Sequence, residues 1–352
     1  MPDIEFGCRA TIIGSMPHTD PKAACSLITR YLRDFPAWPQ LPQRSPLESM
    51  CAQFSEGFYG VVPAKEGGIY IDRSYTDPSR DKAEFTAKLY GDYDEDKKEY
   101  KVDDYPVSPD YAAGLHAFLE LKNLSPLAVK GQVTGPITWG LTVPDETGRA
   151  IIYDDNFQDM VAVFLGLKAG WQEKQLSQLC KNTIILVDEP YMAAFGSVAV
   201  PISKEEVHKL LNKVFAGIKG LKGIHCCGNT DWSVLLETKA DIISFDTYHY
   251  ARSLSLYPAE VKKFLDGGGA VAWGIVPNDE ESLAKESAAS LQDRLEEAMA
   301  PFTRHNIEFR QLIRQGLLTP SCGLGSITSE DAAEQALKLL TELSARIRKR
   351  YG

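Results

Sequence analysis

The stretch Ile224–Trp232, IHCCGNTDW, sets one histidine beside two adjacent cysteines, after an apolar run and before a Gly-Asn turn. Side chains alternate faces along a strand, so His225 and Cys227 point one way and Cys226 the other. With His225 at a polar mouth, Cys227 joins it, and Cys226 packs toward helices as a small apolar residue. A histidine and one cysteine make half of a tetrahedral zinc site. Cys322, in TPSCGLG, is a third candidate donor, and Asp246, closing DIISFD, a fourth. The same residues also read as buried structural cysteines beside a packed histidine, and H-x-C alone does not decide between the two. Asp188 and Glu189 end the apolar run ILVDEP, either as a loop ion pair or as carboxylates that face a substrate. A metal set rich in cysteine has its own chemistry. The thiolate, not the thiol, is the nucleophile, and coordination lowers a thiol's pKa. Two or three cysteinate ligands reduce the metal's effective charge, which keeps a bound substrate sulfur nucleophilic. Alkyl transfer to sulfur suits such a centre better than hydrolysis does.

These residues need elements that bring them together. The segments 10–15, 127–136, 182–190, 221–228, 240–248, 269–277 and 316–323 read as buried strands. Helical periodicity fills the gaps: Phe157, Met160, Phe164, Leu167 and Trp171 recur at steps of three and four, as do Ala336, Leu340, Leu343 and Ile347. A Thr328-x-x-Asp331 signature caps the last helix. Strand–helix alternation implies α/β architecture with a parallel sheet. With a weaker eighth strand near PAWPQLP (36–42), the pattern predicts one (β/α)8 barrel of the TIM type across residues 1–352. Ser15, Asp188, Glu189, His225, Cys227, Asp246 and Cys322 fall at the carboxyl ends of five different strands, where barrel active sites are assembled. Residues 57–107 break the alternation. GGIYIDRSY reads as part of a hairpin and GDYDEDKKEYKVDDY as a solvated charged face, so this stretch is expected to be an insertion on the rim.

Composition narrows the function classes. A formal charge of -10 leaves no basic stripe for nucleic acid and suits anionic membranes poorly. No apolar run nears the roughly 18 residues of a membrane span. MPDIEFGCRA is too acidic and too short in apolar residues for a signal peptide. Seven cysteines in a chain this long predict free thiols and a cytoplasmic location.

IHCCGNTDWSVLLETKADIISFD followed by TPSCGL resembles the zinc region of the cobalamin-independent methionine synthases. It is also similar to the methylcobamide:thiol methyltransferases of the uroporphyrinogen-decarboxylase-like superfamily. TIIGSMPHT (11–19), VTGPIT (133–138) and LVDEP (186–190) extend the resemblance in the same order along the chain. It implies that His225, Cys227 and Cys322 bind zinc, with Asp246 standing where the methionine synthases carry a longer glutamate. It implies that Asp188, beside Glu189, accepts the amino group of homocysteine, and that Ser15 donates to its carboxylate.

The departures from the family bear on the methyl donor. The folate-dependent enzymes are about twice this length, and their folate-binding segment has no counterpart here. Where they place a histidine on the loop of the seventh strand, WGIVPND offers Val276. A methyl group leaves folate only when the departing nitrogen is protonated, which requires a general acid. Departure from a methyl-corrinoid yields Co(I) and needs no proton. The expected activity is therefore methyl transfer to homocysteine from methylcobalamin or a methylated corrinoid protein. The competing readings are a methylcobamide:thiol methyltransferase with another acceptor, such as coenzyme M, and a non-catalytic zinc- or corrinoid-binding protein.

Overall fold

The computed structural model describes residues 4–64, 68–74, 82–94, 99–198, 200 and 202–352. Eleven strands are present among them: β1 (Arg9–Ala10), β2 (Val61–Pro63), β3 (Ile69–Ile71), β4 (Tyr93–Asp94), β5 (Glu99–Tyr100), β6 (Val129–Thr134), β7 (Thr183–Asp188), β8 (Leu221–Cys226), β9 (Ile242–Asp246), β10 (Ala270–Val276) and β11 (Gly316–Pro320). Seven form one parallel sheet in the order β1-β11-β10-β9-β8-β7-β6. The strands are shorter than the sequence segments because their ends are already spent on other work. Asp246 caps a short helix, and Gly135 and Pro136 begin another directly after β6.

The segment 36–42, expected as an eighth strand, makes isolated bridges instead of a ladder. Ala37 bridges Lys130 of β6, and Gln40 bridges Ser15, just beyond β1. The backbone bonds are Lys130 to Pro36 at 2.9 Å, Gln40 to Gly14 at 3.0 Å and Met16 to Gln40 at 2.9 Å. One five-residue stretch thus touches the chain at both edges of the sheet, so the sheet curls as a half-barrel. Seven regular parallel strands are the extent of the ladder.

Helices cover the outer face. Asp155–Leu176 carries the predicted periodicity, with Asp154 accepting from the amides of Asn156 and Phe157. Lys204–Ala216 opens with a capping box of Ser203 and Glu206. The cap of the final helix, Glu330–Tyr351, lies one residue later than the signature predicted. Ser329 accepts from the Ala332 amide, while the Thr328 hydroxyl is given to Glu280.

Alternation along the strands separates two apolar layers. Ile185, Val187, Ile224, Cys226, Ile243, Phe245, Val271 and Trp273 join the large cluster between sheet and helices. Ile184, Leu186, Leu221, Ile242, Ala270 and Leu317 form a second cluster on the inner face. Following the inner face upward at steps of two leads from Leu186 to Asp188, from Leu221 to His225, and from Ile242 through Ser244 to Asp246. The interior is apolar at the amino ends of the strands and polar at their carboxyl ends. That gradient places the candidate site.

Within 57–107, β2 and β3 form the expected antiparallel hairpin, and β4 pairs with β5. The stretch is docked as well as solvated. Phe85, in the helix Lys82–Gly91, packs on Phe58 and Phe164 with centroids 5.6 and 6.2 Å away. Of the charged run, 95–98 lie outside the described residues, while Asp103 and Asp104 pair with Lys174 and Lys88. Among the described residues, no helix is long and apolar enough to cross a membrane. All seven cysteines are free.

Candidate metal centre

β8 lies between β7 and β9, and its register sets His225 beside Asp188 on one side and Ser244 on the other. Cys227 follows on the same face. Cys226 is fully buried on the opposite face, where its thiol donates to the Gly228 carbonyl at 3.7 Å. Cys322 arrives from the loop after β11. One ligand atom from each of His225, Cys227 and Cys322 lies within 4.8 Å of the others. A tetrahedral zinc needs such donors roughly 3.5–3.8 Å apart, given bonds of about 2.3 Å to sulfur and 2.0–2.1 Å to nitrogen. Small side-chain movements close that difference.

Two features fit this trio to a soft divalent metal. First, His225 Nδ1 is 2.9 Å from Ser244 Oγ, while Nε2 is buried with no partner. In the tautomer protonated at Nδ1, the imidazole donates to Ser244 and directs the Nε2 lone pair at the two sulfurs, as a second hydrogen bond commonly orients a metal-binding histidine. Second, the Cys227 and Cys322 thiols are within hydrogen-bond reach of each other, which pulls the Cys227 pKa down and, with burial, pushes that of Cys322 up. The thiolate is the form that binds a metal.

The trio opens into a cavity of about 410 Å³ that Ser15, Glu48, Asp188 and Asn278 also line. Asp188 is almost fully buried, and its Oδ1 has no hydrogen-bond partner. Burial pushes its carboxyl up to about 6, against the opposing pull of His225 and Lys130. Ser15 lies across the cavity, with its Oγ accepting from the Gly325 amide at 3.2 Å. A methyl group on Gly323 would stand 2.1 Å from Ser15 Oγ, so glycine is required there for the loop after β11 to approach.

Two of the predicted site residues lie apart. Glu189 is fully buried below the cavity wall, with its two oxygens accepting from the Ile137 and Thr138 amides at 2.9 and 2.7 Å. It caps the helix Pro136–Thr142, whose sequence supplies no side-chain cap of its own. Its carboxylate is therefore committed to the backbone rather than offered to a ligand. Asp246 does not join the cluster either. Oδ1 accepts from the His249 amide at 2.9 Å, and Oδ2 is 2.7 Å from His249 Nδ1.

Sequence reasoning passed over four residues. Glu48 is buried, with Oε1 paired to Arg44 at 2.6 Å and Oε2 unpartnered, and desolvation raises its carboxyl pKa. Ser244 was legible at two residues before Asp246. Lys130 is the lone cation in an apolar strand; it donates to the Ile13 carbonyl at 2.5 Å and so braces the loop that carries Ser15. Desolvation pushes Lys130 down to about 8, with Asp188 opposing. Asn278 is the polar residue that the loop after β10 brings to the cavity, while Val276 is wholly buried. A comparison with models of known protein families finds no match, and a search of characterised proteins also finds none.

Proposed function

We propose that this protein is a zinc-dependent thiol methyltransferase of the methionine synthase type, which moves a methyl group from a methyl-corrinoid to the sulfur of homocysteine. The observation that carries this reading is the convergence of His225, Cys227 and Cys322 on a cavity that also holds an unpaired buried carboxylate at Asp188. The architecture is taken as a closed (β/α)8 barrel of the TIM type, with 36–40 as its eighth stave and 57–107 as a rim insertion.

Zinc held by His225, Cys227 and Cys322 would lower the pKa of a substrate thiol and fix its sulfur for attack on the methyl group. The chain's own residues bind and orient the rest of the acceptor. Asp188 and Glu48 each present a buried oxygen without a partner, which suits an ammonium. The Ser15 hydroxyl already accepts from Gly325 and keeps its proton for a carboxylate. An amino-acid thiol meets both ends of this cavity; a sulfonate thiol such as coenzyme M brings no cation to Asp188.

On the donor side, the loop after β10 presents Asn278, an amide with no proton to give in the working pH range. That favours a leaving group that needs none, Co(I), over a folate nitrogen. The chain carries no D-x-H-x-x-G segment to anchor a cobalamin, so a partner corrinoid protein is the expected presenter. The test is methyl transfer to homocysteine by the zinc-loaded protein, with methylcobalamin and methyltetrahydrofolate assayed side by side. Turnover with methylcobalamin well above that with folate is expected, with no decline in rate at high pH once the bound thiol is ionised. Comparable turnover with folate, or a rate that falls as an acid deprotonates, overturns the corrinoid assignment.

A further inference from the structure

We infer that His249 holds Asp246 away from the metal, so that the centre keeps three protein ligands and reserves its fourth position for an incoming thiol. This rests on the metal centre proposed above and adds to it the device that leaves it open.

Asp246 is well placed to become a fourth ligand. It ends β9, beside the strand that carries His225, and alternation through Ile242 and Ser244 turns it to the inner face, where Ser244 already touches the imidazole. It is buried, and desolvation raises its pKa. A carboxylate in that position is a natural oxygen donor to zinc. Yet among the described residues only His225, Cys227 and Cys322 bring ligand atoms together.

The reason lies three residues further on. Asp246 caps the short helix Thr247–Tyr250, and its two oxygens are divided between two groups of one residue. Oδ1 takes the His249 amide at 2.9 Å, a bond that any residue at 249 except proline would supply. Oδ2 takes the His249 imidazole at 2.7 Å, a bond that only the side chain supplies. His249 is itself steadied by an edge-on contact with Tyr248, with centroids 5.0 Å apart. The cavity's unsatisfied buried oxygens belong to Asp188 and Glu48, and neither Asp246 oxygen is among them. With three protein ligands a zinc site stays open, whereas four close it as a structural site. The imidazole of His249 is what separates the two states.

Cobalt(II) serves as the probe metal because its absorption and its X-ray edge report ligand number without any turnover. In the wild-type protein the edge should show two sulfurs, one imidazole and no protein carboxylate, with homocysteine adding a third sulfur. Asp246→Asn, which keeps the cap acceptor, should change cobalt affinity by less than about tenfold, the lower bound for loss of a group that only supports a ligand. His249→Ala frees Oδ2. It should bind cobalt about tenfold more tightly and homocysteine about tenfold more weakly, and adding Asp246→Asn to it should restore wild-type values. A loss of roughly 100-fold or more in Asp246→Asn would make Asp246 a resting ligand and end the proposal. So would a His249→Ala protein identical to wild type in both affinities. A wild-type protein that does not bind cobalt, or a Cys227→Ser variant that binds it normally, overturns the metal centre itself and the latch with it.

Discussion

Replacing Asp188 by asparagine tests the acceptor at a single atom. Oδ1 of Asp188 is buried and unpartnered, in the cavity that Cys227 and Cys322 also line. Burial raises the carboxyl pKa, and an incoming cation favours the ionised carboxylate against that cost. A hydrogen bond between charged groups contributes about 1.5–3 kcal/mol. The variant should therefore bind homocysteine roughly 10- to 150-fold more weakly. Because the asparagine keeps the shape and leaves His225, Cys227 and Cys322 in place, bound zinc should stay stoichiometric. Calorimetric titration of the zinc-loaded protein, with homocysteine and with the same thiol acid lacking the amino group, isolates the contact. Wild type should prefer homocysteine, and the variant should lose that preference while its affinity for the amino-free thiol stays nearly the same. If Asp188→Asn binds homocysteine within about threefold of wild type, or if wild type prefers the amino-free thiol, Asp188 does not hold an ammonium and the acceptor is not an amino acid.

Cys226→Ser should retain stoichiometric zinc, while Cys227→Ser or Cys322→Ser should lose most of it on dialysis against a weak chelator; the reverse pattern would refute the strand register at β8. Glu189 predicts a pH effect on stability of definite sign. Burial raises its carboxyl from 4.5 to about 7, so the stability it contributes is complete below 4.5 and is lost as pH rises through 7. Glu189→Gln does not titrate and gives up one of the two amide hydrogen bonds at every pH, so its stability relative to wild type should rise by up to about 3 kcal/mol between pH 4.5 and 8 in urea unfolding, and parallel curves would refute this. Gly135→Ala would put a methyl group 2.1 Å from the Glu189 carboxylate. It should cost about 1–3 kcal/mol in the same assay, and a neutral result would mean that Glu189 does not press on that glycine.

The parts of the site that lie on strands were legible because alternation is a strict rule. His225, Cys227 and Cys226 could be sorted to faces from three consecutive letters, and the inner-face run from Ile242 to Asp246 follows from the same rule. Residues whose side chains turn at a strand end were harder to read. Asp188 and Glu189 are adjacent in DEP, yet one faces the cavity and the other reaches a helix that starts more than fifty residues earlier. Only the tertiary position of Pro136–Thr142, with no cap of its own, reveals where Glu189 goes. Asp246 misled for a related reason. Its spacing from His225 was that of a ligand, but His249 lies one helical turn away, and local capping competes with a distant metal for the same oxygens. Glu48 sits outside every regular strand of the large sheet, in a short turn where no periodicity applies. The segment expected as an eighth strand carried a weak signal and forms no ladder, and its prolines explain both. Pro36 and Pro39 lack the amides that a continuous ladder requires, so bonding to the two edges is confined to isolated bridges.

Charge balance in the cavity gives these residues a common logic. Asp188 and Glu48 are buried acids, and the cations nearest to them are already engaged. Lys130 is spent on the Ile13 carbonyl and Gln132, and Arg44 holds only one oxygen of Glu48. One oxygen on each acid is left over. An ammonium placed against these oxygens makes charge-assisted hydrogen bonds of about 1.5–3 kcal/mol each. A ligand with a thiol alone makes none of them. A thiol joined to one ammonium and one carboxylate makes them and also meets Ser15 in the same cavity. The Lys130 contact to Ile13 links the two halves, since it fixes the loop that carries Ser15 from beneath the acid that Asp188 supplies. Lys130→Met should therefore disturb both ends of the ligand at once, lowering homocysteine affinity by more than Asp188→Asn does while leaving zinc bound. Affinity equal to wild type in Lys130→Met would show that the two halves of the cavity are set independently.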